Sequence, residues 1–420
     1  MNDMSEMSVI QLLQIMGLSQ IDLANQIAVV SGSGRGIGRE LSRALAWLGA
    51  KVIIAEISDS GIETETIIKS DGGEAMFIKT DVSSIESMNS LSKVIFAKYG
   101  KVDILVNNAT IFTIGSILDQ PIENWEKVFN VNVKGVISGI KSFLPSMKER
   151  KHGVIITMTS DEGTAFLAPY SASKAALQSI AYSLAGELSE NSGVSVFVFG
   201  PGMVDTPGGN EAFSKLAPLY GVSLEEFIKL GSVGGFEGMM PVEYSAAGFA
   251  YTIVHAEDYH GQIADPFRSL GKFGLLPGTK ELIISGSPTK ESLYKALDST
   301  LKLKEVLEAI DKETEELNFF AKKWVFRSYS KRTGLSIQGW LATIKDLIDI
   351  IQKGDLKAYK NKNTWFFSVL EKLEVNFEQT KADAKGYIKD PEKLKDALKE
   401  LDYRKNSVKS LIEDLKSNLS

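Results

Sequence analysis

Short apolar runs alternate with longer helical stretches from Gln26 to about residue 270. The runs are continuous and rich in Val and Ile, which predicts strands that are covered on both faces. Because a helical stretch, such as residues 39–48, separates one run from the next, the pattern predicts an α/β fold with a doubly wound parallel sheet. The predicted strands are residues 27–31, 51–56, 75–80, 104–107, 154–158 and 194–199.

The strand pattern stops after about residue 285, and four helical segments with apolar spacings of three and four follow. Short breaks separate them, among them Asp390-Pro391, which suits a helix N-cap and first turn. Short connections make neighbouring helices antiparallel, so the segment predicts a four-helix bundle whose stripes form its core. The stripes include Leu303 and Leu307, Ile337, Leu341, Ile344, Ile348 and Ile351, Leu370 and Leu373, and Leu398 and Val408.

The chain has 420 residues, more than one ordinary core organises, so two main domains are expected. We predict an N-terminal extension at residues 1–22, a sheet domain at residues 23–280 and an all-α helical domain at residues 281–420. Residues 8–20 are apolar on one side and predict an amphipathic helix. That helix packs either on its own domain, which the pattern favours, or on a partner subunit.

The charge and rare residue types exclude several functions. A formal net charge of −6 gives no basis for nucleic-acid binding. The chain has no cysteine and three histidines, so we expect no disulfide, no thiolate chemistry and no metal site. The N-terminus does not resemble a secretory signal, and no apolar run reaches the roughly 18 residues that span a membrane. We therefore expect a cytoplasmic protein without a membrane span.

A glycine-rich turn follows the first predicted strand and opens a helix. In such a turn one glycine allows the tight bend, another lets the backbone approach a pyrophosphate, and a third lets helix and strand pack closely. The phosphates then lie at the helix N-terminus, where free N–H groups favour anions. The strand–turn–helix context predicts a Rossmann-type dinucleotide site. The turn consists of Gly32, Ser33, Gly34, Arg35, Gly36, Ile37 and Gly38.

Two residues bear on the choice between NAD and NADP. Glu56 ends the second predicted strand, where a carboxylate accepts hydrogen bonds from the adenosine ribose and repels a 2′-phosphate. Arg35 favours the opposite choice, since a basic residue in the turn can meet a 2′-phosphate. We expect NAD, because Glu56 would lie nearer the ribose, and keep NADP as the alternative.

Tyr170 and Lys174 are four residues apart and therefore share one face of a helix. A nearby ammonium stabilises a phenolate, so the pair can supply a general acid/base for a carbonyl oxygen. The spacing alone occurs in many helices by chance. Its position after a strand, downstream of the nucleotide turn, makes a catalytic pair the better interpretation.

The ordered motifs between about Leu23 and Phe267 together resemble the short-chain dehydrogenase/reductase family. The helical segment after residue 280 resembles no family that we recognise. The matching segments are the glycine turn, with Ser31 in place of Thr, then Asp81-Val82, Asn107-Asn108-Ala109-Thr110, Asn132-Val133-Lys134-Gly135, Ser160, Tyr170-Ser171-Ala172-Ser173-Lys174 and Pro201-Gly202-Met203-Val204-Asp205-Thr206.

The resemblance implies an oxidoreductase that transfers a hydride between nicotinamide and a secondary alcohol or ketone. Tyr170 would be the general acid/base, Lys174 would lower its pKa and bind the nicotinamide ribose, and Ser160 would hold the substrate oxygen. Asn132 would anchor a water that links Lys174 to solvent. Beyond the glycine turn and Glu56, the implied coenzyme contacts are Asp81, Val82, Asn108, Ala109, Tyr170, Lys174, Pro201, Gly202, Val204 and Thr206. The resemblance also implies a homo-oligomer, a dimer or tetramer.

Two departures from the family pattern concern the edges of the site. Thr110 replaces a glycine beside the adenosine half, and Ser160 precedes Tyr170 by 10 residues, slightly fewer than the family pattern has. Residues 207–240, which cover substrate in the family, are apolar and contain Gly234-Gly235, which favours a hydrophobic small-molecule substrate. Two other hypotheses remain open: a nucleotide-sensing or scaffolding protein whose helical domain binds a protein partner, and a helical domain that governs assembly or substrate access.

Overall fold

The structure, a computed structural model, divides the chain into two compact units, Met1–Leu270 and Gly271–Ser420. Most of the first unit is described, whereas the second is described only in part. The described residues are 7–160, 163–188, 192–231, 236, 238–276, 300–301, 303–308, 312, 337–352, 395, 398–399, 402, 404–406 and 408–409.

A seven-stranded parallel sheet forms the centre of the first unit, with the strand order β3-β2-β1-β4-β5-β6-β9. It confirms the predicted doubly wound sheet, and all six predicted strands are present, with bounds that differ by at most one residue. The strands are β1 (Ile27–Ser31), β2 (Lys51–Glu56), β3 (Glu74–Lys79), β4 (Ile104–Asn107), β5 (Gly153–Met158), β6 (Val194–Phe199) and β9 (Ile263–Ala264).

Helices cover both faces of the sheet, as continuous apolar strands require. On one face α4, α6 and α7 pack over a core that includes Ile95, Phe143 and Leu184. On the other face α2 packs between α3 and α10. The helices from the N-terminus to the end of this unit are α1 (Val9–Ile15), α2 (Gly36–Trp47), α3 (Ser60–Ser70), α4 (Ile85–Tyr99), α5 (Ile122–Phe129), α6 (Gly135–Arg150), α7 (Ala168–Glu187), α8 (Pro207–Leu216), α9 (Leu224–Gly231), α10 (Val242–Val254) and α11 (Pro266–Lys272), whose last two residues belong to the second unit.

Helix α1 packs against α2 and α10 of its own unit. Its residues Val9, Leu12 and Leu13 are fully buried, and a capping box between Ser8 and Gln11 fixes its start. The structure thus supports the self-packing interpretation of residues 8–20, although the helix itself ends at Ile15.

The carboxyl ends of all the strands lie at one edge of the sheet because the strands are parallel. Ser31, Glu56 and Asn107 are the last residues of β1, β2 and β4, and Ser160 follows β5 by two residues. The strand order reverses direction between β1 and β4. Ligands of open α/β sheets bind in the crevice at such a reversal.

Several elements were not predicted from the sequence. A π-helical turn, Asn130–Lys134, joins α5 to α6. A small two-stranded parallel sheet pairs β7 (Val204–Asp205) with β8 (Met240–Pro241), and short 3₁₀ turns occupy Ala217–Tyr220 and Ala256–Tyr259. Strand β9 pairs with β6 over only two residues.

The described part of the second unit contains the helix Ile337–Gln352 and short helical pieces near residues 300–308 and 395–409. Leu303, Leu307 and Ile344 are buried, as their stripes predict, and Trp340 is buried although it lies outside the predicted stripe. The predicted stripe at residues 366–377 lies outside the described residues. The four-helix bundle therefore stays a prediction.

Candidate active site

The glycine turn between β1 and α2 approaches two other segments closely. Gly32 has φ +65°, and a Cβ there would lie 2.7 Å from the Ala109 Cα. A Cβ on Gly38 would lie 2.6 Å from the Asn108 Nδ2. Glycine at these two positions is therefore required both by the turn itself and by the segment that follows β4.

Hydrogen bonds fasten the glycine turn to the segment after β4. Ser31 Oγ accepts from the backbone N–H of Asn108 at 3.0 Å and of Ala109 at 3.1 Å. In return, Asn108 Nδ2 donates to the carbonyls of Ser31 and Gly32, each at 2.9 Å. The hydroxyl of Ser31 serves here without the extra methyl group of threonine, so this departure from the family pattern keeps the contact.

Glu56 lies beside the turn and its carboxylate is held by three donors. Gly34 N–H donates to Oε2 at 3.0 Å, and the backbone N–H and hydroxyl of Ser58 donate to Oε1, both at 3.1 Å. Since each carboxylate oxygen can accept more than one hydrogen bond, acceptor capacity remains for ribose hydroxyls. The carboxylate is therefore fixed at the edge of the nucleotide turn.

The basic residues of the turn are placed differently from each other. Arg35 is exposed and its backbone caps α2 without a side-chain hydrogen bond. The neighbouring Arg39 bonds the Gly34 carbonyl through Nε at 2.9 Å and pairs with Glu63 at 3.0 Å. Arg39 thereby joins the turn to α3 and is a contact that the sequence analysis missed.

Asp81 and Val82 follow β3 at the same edge of the sheet. The Asp81 Oδ1 accepts from the Ser83 N–H at 2.9 Å and from its hydroxyl at 2.7 Å, which forms a tight local turn. A Cβ on Gly135 would lie 3.0 Å from the Val82 Cγ2, so Val82 packs directly on the start of α6. Val82 thus lies between the end of β3 and α6.

Asn132 sits in the π-helical turn and is almost fully buried. Its Oδ1 accepts from the Ile111 N–H and its Nδ2 donates to the Ile111 carbonyl, both at 2.9 Å. The same Nδ2 donates to Ser173 Oγ at 3.0 Å. Single π-helical turns inside helices occur frequently at functional sites, and this one delivers the asparagine to α7.

Tyr170 and Lys174 lie in the first two turns of α7. The Lys174 Nζ is 5.5 Å from the centre of the Tyr170 ring and donates to the Met158 carbonyl at 3.0 Å. Lys174 is buried, whereas Tyr170 keeps part of its surface exposed. Burial disfavours the ammonium and lowers the pKa of Lys174 from 10.5 to about 7.

Ser160 follows the end of β5 and is half-buried. Residues 161–162 lie outside the described residues, and the loop resumes at Gly163. Phe166 in this loop has φ +62°, in the left-handed region that bulky residues rarely adopt. Its carbonyl accepts from the Gly115 N–H at 3.0 Å, so the short connection is held in place by the segment that follows β4.

The segment Pro201–Thr206 brings a further strand end to the glycine turn. Thr206 caps α8, its Oγ1 accepting from the Gly209 N–H at 3.0 Å. A Cβ on Gly36 would lie 3.4 Å from both the Cβ and the Cγ2 of Thr206. Gly202 has φ +77° and Val204 begins the small strand β7. The segment therefore borders the glycine turn at Gly36.

Residues 207–240, called the covering segment below, contain α8 and α9 and contribute to an aromatic cluster. Tyr220 stacks edge-on against Phe166 at 5.8 Å and against Phe227 at 5.2 Å, and its hydroxyl donates to the Ala165 carbonyl at 3.4 Å. Phe213 packs on Phe227 at 6.0 Å. The cluster joins the covering segment to the loop that separates Ser160 from Tyr170. Gly234 and Gly235, the predicted hinge, lie outside the described residues.

The structure thus brings the predicted residues together at one edge of the sheet, in two groups. Glu56, Asn108 and Thr206 lie against the glycine turn, Gly32 to Gly38. Asn132, Tyr170 and Lys174 form a second group, joined through Ser173 and by the ammonium near the Tyr170 ring. Ser173 was not predicted. A serine inside a helix is a weak signal, and here it does not separate Ser173 from Ser171, which lies in the same helix.

The first unit is similar to known proteins. A family model described as short chain dehydrogenase matches residues 26–217. An uncharacterized oxidoreductase of Thermotoga maritima is 37% identical over 188 residues, which cover 44% of this chain and 73% of that protein. The chain belongs to the short-chain dehydrogenase family.

Other members of the family have named substrates. Galactitol 2-dehydrogenase of Agrobacterium fabrum is 37% identical over 187 residues, or 44% of this chain and 72% of that enzyme. A solved structure from Beutenbergia cavernae, a putative NAD(P)-dependent gluconate 5-dehydrogenase with bound NADP at low occupancy, is 26% identical with a TM-score of 0.51. It covers 58% of this chain and 96% of that one. As a member of this family of oxidoreductases, the chain carries the family's Rossmann-type fold in its first unit.

Two features are absent from the described residues. None of the helices there is both long enough and apolar enough to cross a membrane. Within the same residues, no group of three or more His, Cys, Asp or Glu side chains could hold a metal ion.

Proposed function

We propose that this short-chain dehydrogenase is an NAD(H)-dependent oxidoreductase that transfers a hydride between nicotinamide and a secondary alcohol or ketone. The observation that carries the proposal is the placement of Tyr170 against the buried ammonium of Lys174, beside Asn132 and at the edge of the sheet that holds the glycine turn. A proton donor next to a cation is what reduction of a carbonyl oxygen requires.

The chain's own residues fit a dinucleotide. No side chain caps the N-terminus of α2, which leaves its dipole and first-turn N–H groups for a pyrophosphate. The close approach of Gly32 and Gly38 to their neighbours gives the turn the shape that backbone contact with phosphates needs. Pro201, Gly202, Val204 and Thr206 would border the nicotinamide half, and Asp81, Val82, Asn108 and Ala109 the adenosine half.

The fixed carboxylate of Glu56 favours NAD over NADP. Its three donors hold it at the edge of the turn, where it would repel a 2′-phosphate and accept from ribose hydroxyls. NADP is the alternative, because Arg35 is exposed beside the same turn and the solved relative from Beutenbergia cavernae holds NADP.

In the proposed reaction the coenzyme, when bound, supplies or accepts the hydride. Tyr170 donates its phenolic proton to the carbonyl oxygen during reduction and accepts the hydroxyl proton during oxidation. Lys174, when protonated, stabilises the phenolate that remains after proton donation. Ser160 would hold the substrate oxygen, and Asn132 would anchor the water that connects Lys174 to solvent.

The aromatic cluster of the covering segment suggests a hydrophobic substrate. Phe166, Tyr220 and Phe227 form an apolar wall that continues from the loop between Ser160 and Tyr170. Exclusion of water by such a wall strengthens the electrostatic contacts of a reacting oxygen. We propose a hydrophobic secondary alcohol or ketone, in contrast to the sugar alcohol named for the Agrobacterium relative.

A Tyr170→Phe variant tests the proposal. The change removes the phenolic proton and leaves the ring, so turnover of a panel of secondary alcohols and ketones should fall about 100- to 10,000-fold. NADH binding, followed by fluorescence titration, should stay within a factor of about three, because the nucleotide turn is unchanged. In the unmodified protein, kcat/KM should be higher with NADH than with NADPH.

Full turnover in Tyr170→Phe would exclude Tyr170 as the acid/base. An unmodified protein that binds NADH tightly and turns over no member of a wide panel would instead favour a nucleotide-sensing role. Homo-oligomerisation, a protein partner for residues 281–420 and the domain boundaries at residues 22 and 280 stay predictions from the sequence.

A further inference from the structure

The first turn of α7 carries Tyr170, but its own residues do little to fix its position. Its N-cap, Leu167, makes no side-chain hydrogen bond to the first turn. The loop just before it contains two residues with positive φ, Gly163 and Phe166. The position of the first turn of α7 therefore depends on contacts made from outside the helix.

Ser173, which lies between Tyr170 and Lys174, receives such a contact from Asn132. Its hydroxyl donates to the Tyr170 carbonyl at 2.6 Å and accepts from Asn132 Nδ2 at 3.0 Å. The residue is fully buried. A hydroxyl has a single hydrogen, and an amide nitrogen can only donate, so the direction of both hydrogen bonds is determined.

Asn132 is held equally firmly at its other end. Its Oδ1 accepts from Ile111 N–H, and its second Nδ2 hydrogen goes to the Ile111 carbonyl. Swapping the amide oxygen and nitrogen would break these bonds, which fixes the amide orientation. Four hydrogen bonds thus connect the segment after β4, through the π-helical turn and Ser173, to the backbone of Tyr170.

Ser171 offers a natural contrast in the same helical turn. It is also a buried serine, but its hydroxyl has no hydrogen-bond partner among the described residues. The two serines therefore differ in hydrogen bonding and not in residue type, helix or burial. A role that depends on the connection to Asn132 belongs to Ser173 alone.

We propose that Ser173 is a positioning residue that sets the backbone of Tyr170 relative to Asn132 and Lys174. The proposal rests on the proposed function, because it concerns the placement of the acid/base for hydride transfer. A displacement of about 1 Å of a reacting group can lower a rate 100-fold, so a hydrogen bond that fixes one turn of α7 can govern kcat.

Four variants separate the hydroxyl from side-chain volume. Ser173→Ala should lower kcat about 10- to 100-fold while the KM for NADH changes by less than about threefold. Ser171→Ala removes the unpaired hydroxyl and should leave kcat within about twofold. Ser173→Thr and Ser173→Val add nearly the same volume to a buried site, so kcat should be higher in the threonine variant, which keeps the hydroxyl.

A second readout works without any substrate. Deuterium uptake of a peptide that spans Tyr170–Lys174, measured by mass spectrometry, should rise several-fold in Ser173→Ala and stay unchanged in Ser171→Ala. If the unmodified protein has no turnover, the proposed function fails but the uptake still tests Ser173. Equal uptake in both alanine variants, equal kcat in Ser173→Thr and Ser173→Val, or raised uptake with unchanged kcat would each overturn the proposal.

Discussion

Lys174 is a buried cation whose Nζ donates a hydrogen bond to the Met158 carbonyl. Burial lowers its pKa to about 7, so the unfolded chain binds a proton that the folded protein holds weakly. For a lysine with a lowered folded-state pKa, the energetic cost of burial is fully present below pH 7. That cost declines as the pH rises from 7 toward 10.5.

Lys174→Met should therefore stabilise the nucleotide-free protein most at low pH. The pKa change corresponds to roughly 5 kcal/mol and the lost hydrogen bond to about 1 kcal/mol, so the variant should gain roughly 4 kcal/mol at pH 6. Above about pH 10.5 the gain should vanish. Urea unfolding of both proteins at pH 6, 8 and 10 measures the difference, and a difference independent of pH would contradict the burial argument.

At the level of elements, the start of α2 packs so closely on the glycine turn and on Asn108 that a side chain at Gly38 would not fit. A Cβ on Gly38 would collide with the Gly32 carbonyl and with Asn108 Nδ2. Gly186, near the end of α7, is exposed, and a Cβ there would meet nothing within 4 Å. The same substitution is therefore expected to have opposite effects at the two sites.

Gly38→Ala should lower the free energy of unfolding by about 1 to 3 kcal/mol and weaken NADH binding, because the turn must open to admit the methyl group. Gly186→Ala should raise the free energy of unfolding by about 0.5 kcal/mol, since alanine restricts the unfolded chain and favours the helix. Urea unfolding and NADH titration check both. Stabilisation by Gly38→Ala would show that the turn has room that the structure does not indicate.

The sequence was sufficient for elements with strong local signals and insufficient for those that tertiary contacts create. Six strands and the glycine turn were predictable because Val/Ile runs and glycine spacing reflect burial and backbone geometry directly. The π-helical turn was not, since Asn132 adopts it through bonds to Ile111 and Ser173. Strands β7 to β9 are each two residues long, too short to carry a periodic pattern.

The candidate site shows the same division. Spacing indicated Tyr170 and Lys174, and the resemblance to the family added Asn132. Neither held information about Arg39, which contacts both Gly34 and Glu63 of α3. The three donors to Glu56 were not predictable either, because Ser58 lies after the end of β2 and outside the motifs. Such contacts depend on three-dimensional packing, which a linear pattern records only indirectly.

On the scale of the whole molecule, Asp103 anchors the edge of the sheet opposite the site. It is fully buried and accepts from Arg150 at 2.6 Å, from Lys101 at 2.9 Å and from the Ile27 N–H at 2.9 Å. Burial raises the pKa of Asp103, but the hydrogen bonds from Lys101, Ile27 and Arg150 outweigh it and lower the pKa overall. Its carboxylate thus joins β1, β4 and the end of α6.

Asp103→Ala should destabilise the protein by about 3 to 5 kcal/mol at pH 7, because the change leaves the buried Ile27 N–H without its acceptor and Arg150 with only the Val102 carbonyl. A lowered folded-state pKa contributes stability above the unfolded-state value, and this is lost as the pH falls through the folded-state value. The difference from the unmodified protein should therefore shrink toward pH 3. Thermal unfolding at pH 7, 5 and 3 measures it.

Asp59→Ala provides the matched control. Asp59 also forms an ion pair, with Lys79, but both side chains are mostly exposed. An exposed pair contributes less than about 1 kcal/mol, so this variant should unfold nearly as the unmodified protein does. Equal destabilisation by the two alanine substitutions would refute the anchoring role of Asp103.

The hydrogen bonds between the glycine turn and the segment after β4 also bear on how the chain folds during its synthesis. All of these hydrogen bonds of Ser31 and Asn108 join residues between 31 and 109. A nascent chain therefore contains all the residues that form these hydrogen bonds before Ser160, Tyr170 and Lys174 have been translated. Because folding during synthesis begins with the N-terminal part of a chain, the glycine turn can form early. The segment that carries Tyr170 and Lys174 can then pack onto a sheet that is already partly formed.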